Sequence, residues 1–511
     1  MARRTIGVDL NRVEGDLEFE VDVEGSRIVD ARCIGTLFRG FEQLLVDRAP
    51  RDALVITPRV CGICGTAHLY AAVLSLERLG RLPVPPQATL IRNLCLMAEN
   101  VQSDLRQTFL FFVPDFLNAR YADHPLAAEI ASAFRPLKGS AVIGALGVSR
   151  RILQVVAIFG GQWPHSSYML PGGVTRGANA RDIVDCRELV GTTIEWLEDA
   201  VLGDRLECFL SIDSLDALER WLAEPERARL AMPLFCRFSR SVGLDRMGGG
   251  ARSFLSGGSY HHPERWGPPY GGQETLLAAG IYDADEGSLT AFDPSLIAEH
   301  VRHSWFRPYD GGRHPFDGET VPDYQPGSDR YSWAKAPRYD GRVVETGPLA
   351  ELLAAGDALC RDMLTKLGPN TWLRQFARLR RSATTLALMR SQVEDLARRL
   401  GEPHYLNPSA GALSDGDGFG LVQAARGTLG HWLQVRDGRI ARYQIVTPTA
   451  WNASPKDSHG RHGHWEQSVI GLEIADTDDP VELGHIVRSH DPCLVCTVHF
   501  AGSGKRVRYG V

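Results

Sequence analysis

Long stretches of this chain repeat their apolar residues every three or four positions, and only short ones alternate them with polar neighbours. Helices are therefore expected to build most of the core. From Pro86 to about Phe112 the apolar set Leu90, Ile91, Leu94, Met97, Val101 and Leu105 falls at helical spacing, with Arg92, Glu99 and Asp104 on the other side. Val113-Pro114-Asp115 ends that helix. Further apolar helices are expected at about Ala141 to Phe159, Ala180 to Val201, Leu349 to Leu367 and Phe376 to Leu400. Helices of this length suggest a bundle as the central layer. Leu17, Phe19, Val21 and Val23 alternate with acidic residues before a Glu24-Gly25 turn into Ile28-Val29, which predicts a half-buried hairpin. A second hairpin is expected from His431 to Val435 and Ile440 to Val446 around Asp437-Gly438. The predicted class is α+β, mainly α, with a central long-helix bundle and small hairpin elements toward both ends.

Between Ser241 and Tyr339 the texture changes to Gly, Pro, Tyr and Trp with little periodicity. Its aromatic content points to a packed excursion across the bundle. The organisation expected is an N-terminal hairpin region over 1–60, a metal-site loop and bundle helices over 61–239, and the irregular excursion over 240–345. Bundle helices follow over 346–410, then a C-terminal α+β region over 411–499 and a tail over 500–511.

The composition, 44% hydrophobic and 23% charged over 511 residues, is that of a globular protein. A net charge of −6 gives no electrostatic grip on nucleic acid. The most apolar run, Ala141 to Phe159, is interrupted by Arg150 and Arg151, so no membrane span is expected. Nor does an apolar segment follow the basic start, so no secretory signal is expected. Six of the ten cysteines (Cys33, Cys95, Cys186, Cys208, Cys236 and Cys360) stand singly and read as buried thiols, which implies a reducing compartment during assembly.

The other four form Cys61-Gly62-Ile63-Cys64 and Cys493-Leu494-Val495-Cys496, each with a histidine just downstream, His68 and His499. Two such pairs can supply four sulfur ligands to one metal. Structural zinc pairs normally lie about 15 to 20 residues apart and staple a domain without a core. Here nearly the whole chain separates them. A redox metal, a structural zinc and two unconnected thiol pairs all fit the spacing, and the size of the core favours the first. Three other patterns carry nothing: Gly502-Ser503-Gly504-Lys505 lacks the rest of a phosphate loop, Gly248-Gly249-Gly250 has no dinucleotide spacing, and His459, His462 and His464 read as an exposed polar loop.

Arg59-x-Cys61-Gly62-x-Cys64-x-x-x-His68 together with Asp491-Pro492-Cys493-x-x-Cys496-x-x-His499 resembles the paired signature of the large subunit of nickel-iron hydrogenases. The likeness continues through Arg12-Val13-Glu14-Gly15, Phe38-Arg39-Gly40-Phe41-Glu42, Gly160 to His165, Ser332 to Tyr339, Gly347-Pro348-Leu349-Ala350, Ala425-Arg426-Gly427 and Pro448 to Asn452. It implies a Ni-Fe(CO)(CN)2 centre held by four thiolates, with Cys61 and Cys493 terminal on nickel and Cys64 and Cys496 bridging. It further implies Glu14 as proton-relay carboxylate, Arg426 over the open position, Asp115 and Asp491 around that arginine, and His68 behind a bridging thiolate. Thr449 would hydrogen-bond a cyanide, with Pro492 beside it. Glu42, the Ile445 carbonyl and His499 would hold magnesium or a similar cation. Ala425 replaces a proline common in the family, and Gln423 stands at a place often acidic.

The same resemblance implies H2 oxidation, an iron-sulfur small subunit to take the electrons, an oligomer of such heterodimers, nickel-insertion factors and a maturation endopeptidase. That endopeptidase would cut at His499-Phe500. Arg12 to Asp16 places the chain nearest the cytoplasmic uptake and sensory branch, so a cytoplasmic enzyme is expected, membrane-associated only through partners. The competing readings are an H2-sensing regulatory subunit and, more distantly, a structural zinc protein.

Overall fold

The first cysteine pair leaves a string of short helical turns and runs straight into helix α1, Gly65–Gly80, as a loop-into-helix reading requires. The computed structural model describes residues 3–10, 12, 17–264, 275–409 and 411–493. Helix makes up 45% and strand 19%, so the chain is α+β and mainly α. Behind α1 lies α2, Pro86–Arg106, buried on every side. Its charged residues face protein, each with a partner: Arg92 pairs with Glu77 at 2.7 Å, and Asp104 meets Arg378 and Arg381 of a later helix. Buried charge of this kind is tolerated only when paired.

The bundle is completed by α3, Ser140–Ile152, α4, Gln154–Gly160, α5, Ala180–Trp196, α6, Pro348–Ala354, α7, Ala358–Leu367, and α8, Thr371–Arg398. Two expectations need correction. The helix expected over 349–367 is two helices, because Gly356 takes φ +85° and Asp357 caps the next start through Cys360 N–H at 2.9 Å. The one expected from Phe376 begins at Thr371, where Asn370 accepts from Leu373 N–H at 2.8 Å. By length and composition Ser140–Gly160 reaches what a bilayer crossing needs, with a mean hydropathy of 1.7. Arg150 and Arg151 lie within it, and Val142, Ala145, Ile152, Val155 and Val156 are buried against the bundle. It is a core helix.

Two of the three-stranded antiparallel sheets flank the bundle. Strands β1, Arg3–Leu10, β2, Leu17–Glu24, and β3, Arg27–Gly35, pack Phe19, Val21 and Ile28 against Trp465, Leu483 and Ile486 from the C-terminal part of the chain. The second sheet is β4, Gly416–Ala424, β5, Gly427–Arg436, and β6, Arg439–Val446. Its β5–β6 hairpin is the one expected, with His431 opposite Ile445. Strand β4 was not expected, and its glycines explain both its place and its weak signal. A Cβ on Gly418 would lie 2.0 Å from the Ser75 carbonyl oxygen, and one on Gly420 would lie 2.1 Å from that of Ala71, so only glycine lets this strand lie on the backbone of α1.

The aromatic excursion is packed, as its composition suggests. Leu255, Ile281, Phe292 and Tyr339 share a core with Trp432 and Trp451, while Phe306 and Trp333 hold Phe38. Among the single cysteines, Cys33, Cys95, Cys186, Cys236 and Cys360 are buried but Cys208 is exposed, on a short helix, Leu206–Leu210, whose inward positions are Leu206 and Phe209. The three-histidine segment is also more ordered than expected. His459 is exposed and His462 half-buried, but His464 is fully buried at the start of helix His464–Val469.

Candidate metal centre

Cys61, Cys64 and Cys493 converge although 432 residues separate the first from the last. Their sulfurs lie within 4.8 Å of one another, with Cys61 Sγ 3.5 Å from Cys493 Sγ, and all three are buried and outside any disulfide among the described residues. Cys496, the fourth thiol of the set, lies outside the described residues, as do Glu14 and His499.

The loop geometry follows from local chemistry. Cys64 is the residue before α1, where a capping side chain is normally wanted, and it makes no cap of its own. Glu99 of α2 caps the helix instead, accepting from Thr66 N–H at 2.9 Å, Ala67 N–H at 3.0 Å and the Trp163 indole at 3.1 Å. Burial pushes this carboxyl up to about 7, and these hydrogen bonds pull the other way. Sequence reading missed Glu99, since a lone acid on a helix carries no positional signal.

On the other side, Arg426 follows β4 and is 4% exposed. Its Nε donates to the Asp491 carbonyl at 3.1 Å and its Nη2 to Asp491 Oδ1 at 3.0 Å. Its Nη1 is buried and has no partner among the described residues. Burial works against the charge of this guanidinium, but Asp491, then Cys493, Cys61 and Cys64, outweigh it, so its pKa is raised well above the ordinary arginine value. A cation with one idle donor therefore faces the thiols. Asp491, held at φ +57°, is gripped from behind by Arg378 at 3.4 Å.

Thr449, in the first turn of helix Pro448–Asn452, accepts from Cys493 N–H at 3.3 Å, so its hydroxyl borders the centre. Pro492 is buried between Asp491 and Cys493. His68, on the first turn of α1, is 1% exposed, and burial pushes it down to about 4 against the pull of the Cys61 thiol. Asp115 does not join Arg426. It pairs with Arg12 and with Arg488 at 2.5 Å, because it sits on the turn past α2 that faces the start of the chain and helix Val481–Ser489.

A family model of nickel-dependent hydrogenases matches residues 39–138 and 237–499. The chain belongs to that family. It is 30% identical to the periplasmic [NiFeSe] hydrogenase large subunit of Desulfomicrobium baculatum over 97% of this chain and 94% of the other. It is 29% identical to the hydrogenase-1 large chain of Escherichia coli K12, over 98% and 95%. The Ni-Fe-Se hydrogenase of D. vulgaris Hildenborough in the reduced state superposes with a TM-score of 0.80 at 28% identity, covering 98% of this chain and 100% of that one. The protein is thus a hydrogenase large subunit, an enzyme whose family carries a nickel-iron centre and pairs with a small subunit. The donor set fits such a centre: soft thiolates suit a redox nickel, and the idle Arg426 Nη1 calls for an acceptor beside them.

Two other clusters invite a cation. Glu42 and Ile445 line a small cavity of roughly 70 Å³ with Glu299, Thr320 and Lys335. Glu42 Oε1 accepts from the Ile445 N–H at 2.7 Å, which ties the carboxylate to strand β6. Lys335 stands 3.6 Å from Glu299 and 3.9 Å from Glu42, and burial pushes Glu299 up to about 7.

The second cluster, Glu345, His464 and His490, has metal-like spacing. Its tautomer is wrong for a metal. Ala251 N–H donates to His464 Nδ1 at 3.0 Å, which leaves the proton on Nε2, the nitrogen nearest Glu345, while Arg374 grips both Glu345 oxygens.

Proposed function

We propose that this large subunit oxidises H2 to two protons and two electrons in an uptake role, with a Ni-Fe(CO)(CN)2 centre held by Cys61, Cys64, Cys493 and Cys496. The observation that carries the reading is the buried thiol cluster under a guanidinium whose Nη1 has no partner among the described residues. When bound, the centre would supply heterolytic cleavage of H2 and accept its electrons.

The chain's own residues supply the rest. Thiolates hold the metals, and burial keeps bulk water away. Asp491 fixes Arg426 through two hydrogen bonds, and the fixed positive charge favours any negative charge developing beside it. Thr449 Oγ1 borders the ligand sphere, where a cyanide nitrogen would find a donor. Glu14 takes the proton outward in this reading. Iron-sulfur clusters of the small subunit take the electrons, since among the described residues no further cysteine cluster could hold them.

The pocket of Glu42, Lys335 and Glu299 gathers two acids around one lysine, oxygen donors that suit a magnesium ion held together with His499. Nickel-insertion factors and an endopeptidase would assemble the site, and oligomers of heterodimers in the cytoplasm are the expected form.

Uptake is preferred to H2 sensing because the uptake hydrogenase large subunit of Rhodobacter capsulatus is 28% identical over 98% of this chain. Dye reduction under H2 by the purified heterodimer tests it. Steady turnover supports uptake, and turnover slower by orders of magnitude in nickel-loaded protein contradicts it.

A further inference from the structure

Behind the first cysteine pair a buried chain of hydrogen bonds runs away from the thiols. His68 Nδ1 lies 3.0 Å from His431 Nε2, and His431 Nδ1 lies 2.8 Å from the Tyr443 hydroxyl. His431 and Tyr443 stand diagonally on neighbouring strands, His431 opposite Ile445 and Tyr443 opposite Leu433. Their exposures are 1% for His68, 0% for His431 and 1% for Tyr443. Ser75 of α1 closes the far end beside the tyrosine and gives its own proton to the Ala72 carbonyl at 2.7 Å. The pair of imidazoles and the phenol therefore bridge helix α1 and the β5–β6 hairpin in a dry interior.

We propose that His431 and Tyr443 are positioning residues for the metal centre, acting through His68: the chain they form fixes the orientation and tautomer of His68 so that its Nε2–H edge is turned toward the thiolates. The proposal rests on the nickel-iron reading of the site.

A neutral imidazole carries one proton, so each link of the chain has one donor and one acceptor, and the whole chain points one way or the other. The 3.0 Å contact between His68 Nδ1 and His431 Nε2 requires one nitrogen to donate and the other to accept, and burial holds His431 well below its ordinary value, so that ring is neutral. Burial also raises Tyr443 well above the ordinary phenol value, so it keeps its proton. Clustered thiolates are acceptors only, and they favour the polarity that presents an N–H to them. In that polarity Tyr443 O–H donates to His431 Nδ1, His431 Nε2–H donates to His68 Nδ1, and the His68 proton sits on Nε2. Each bond in such a series strengthens the next, so the tyrosine three links away affects the donor at the sulfur. An N–H directed at a thiolate draws electron density from the metals, the outer-shell effect that tunes a ligand.

The test is infrared spectroscopy of the purified, nickel-loaded heterodimer in the carbonyl and cyanide stretching region, comparing wild type with His431→Leu, His431→Gln and Tyr443→Phe. The Gln side chain keeps a donor toward His68, whereas His431→Leu removes both hydrogen bonds of the chain and Tyr443→Phe removes only the outer one. The expected result is a carbonyl band moved to lower wavenumber in His431→Leu, returned toward wild type in His431→Gln, and moved less, in the same direction, in Tyr443→Phe. Bands unmoved in His431→Leu and Tyr443→Phe would overturn the proposal. If His431→Leu takes up no nickel, Tyr443→Phe decides alone by the same criterion. Absence of these bands from nickel-loaded wild type would instead overturn the nickel-iron reading on which the proposal rests.

Discussion

Arg426 grips Asp491 at two points, Nε on the backbone carbonyl at 3.1 Å and Nη2 on Oδ1 at 3.0 Å, and its buried Nη1 is idle among the described residues. The fork, more than the charge, sets the direction of that idle donor. Lysine would keep the charge and lose the fork. Arg426→Lys should therefore lower H2-dependent dye reduction roughly a hundredfold or more while nickel content stays at the wild-type level. Unchanged turnover would show that the guanidinium does not act at the centre.

Glu99 carries the start of α1 in place of Cys64, which makes no cap of its own. Gln offers one acceptor where the carboxylate offers two, and its amide would meet a backbone N–H. Glu99→Gln is expected to destabilise the chain by about 1–3 kcal/mol, read as a lower melting temperature of the heterodimer. A melting curve that coincides with wild type would contradict the capping role.

These two residues show where sequence reading succeeds and where it stops. The convergence of Cys61, Cys64 and Cys493 and the place of Arg426 were legible because their motifs are dense. Glu99 was not, because its partners are backbone groups 33 and 32 residues earlier. The long helices were legible from periodicity, yet the break at Gly356-Asp357 was passed over although glycine before a capping acid is a stop-and-start signal. Strand β4 was invisible because its inward positions are glycines that admit a helix backbone. Asp115 was drawn to the wrong arginine, since order along a motif does not say which of two nearby cations a carboxylate will face.

His485 is fully buried against the Tyr121 hydroxyl at 3.2 Å, and burial pushes it down to about 4 from an ordinary 6.5. Between those values the unfolded chain binds a proton that the folded chain refuses. Its contribution is thus fully present above pH 6.5 and lost as pH falls toward 4, about 3 kcal/mol in all. In denaturant titrations at pH 7.5 and pH 4.5, His485→Gln should lose less stability than wild type on acidification. Equal losses would contradict a neutral His485.

Glu42 meets Ile445 and Lys335 at the cavity proposed for magnesium. Glu42→Gln removes one charge with little change of shape. Elemental analysis should then find magnesium lost from the purified heterodimer while nickel is retained, and a full complement of magnesium would place that ion elsewhere.

The central claim is that Cys61, Cys64 and Cys493, with Cys496, hold a nickel-iron centre with carbon monoxide and cyanide ligands. Infrared absorption of the mature, nickel-loaded heterodimer tests it most directly. The account predicts a carbonyl stretch together with cyanide stretches, all lost when any one of these cysteines is replaced by serine. Nickel-loaded protein without such bands, or zinc in place of nickel, would contradict it.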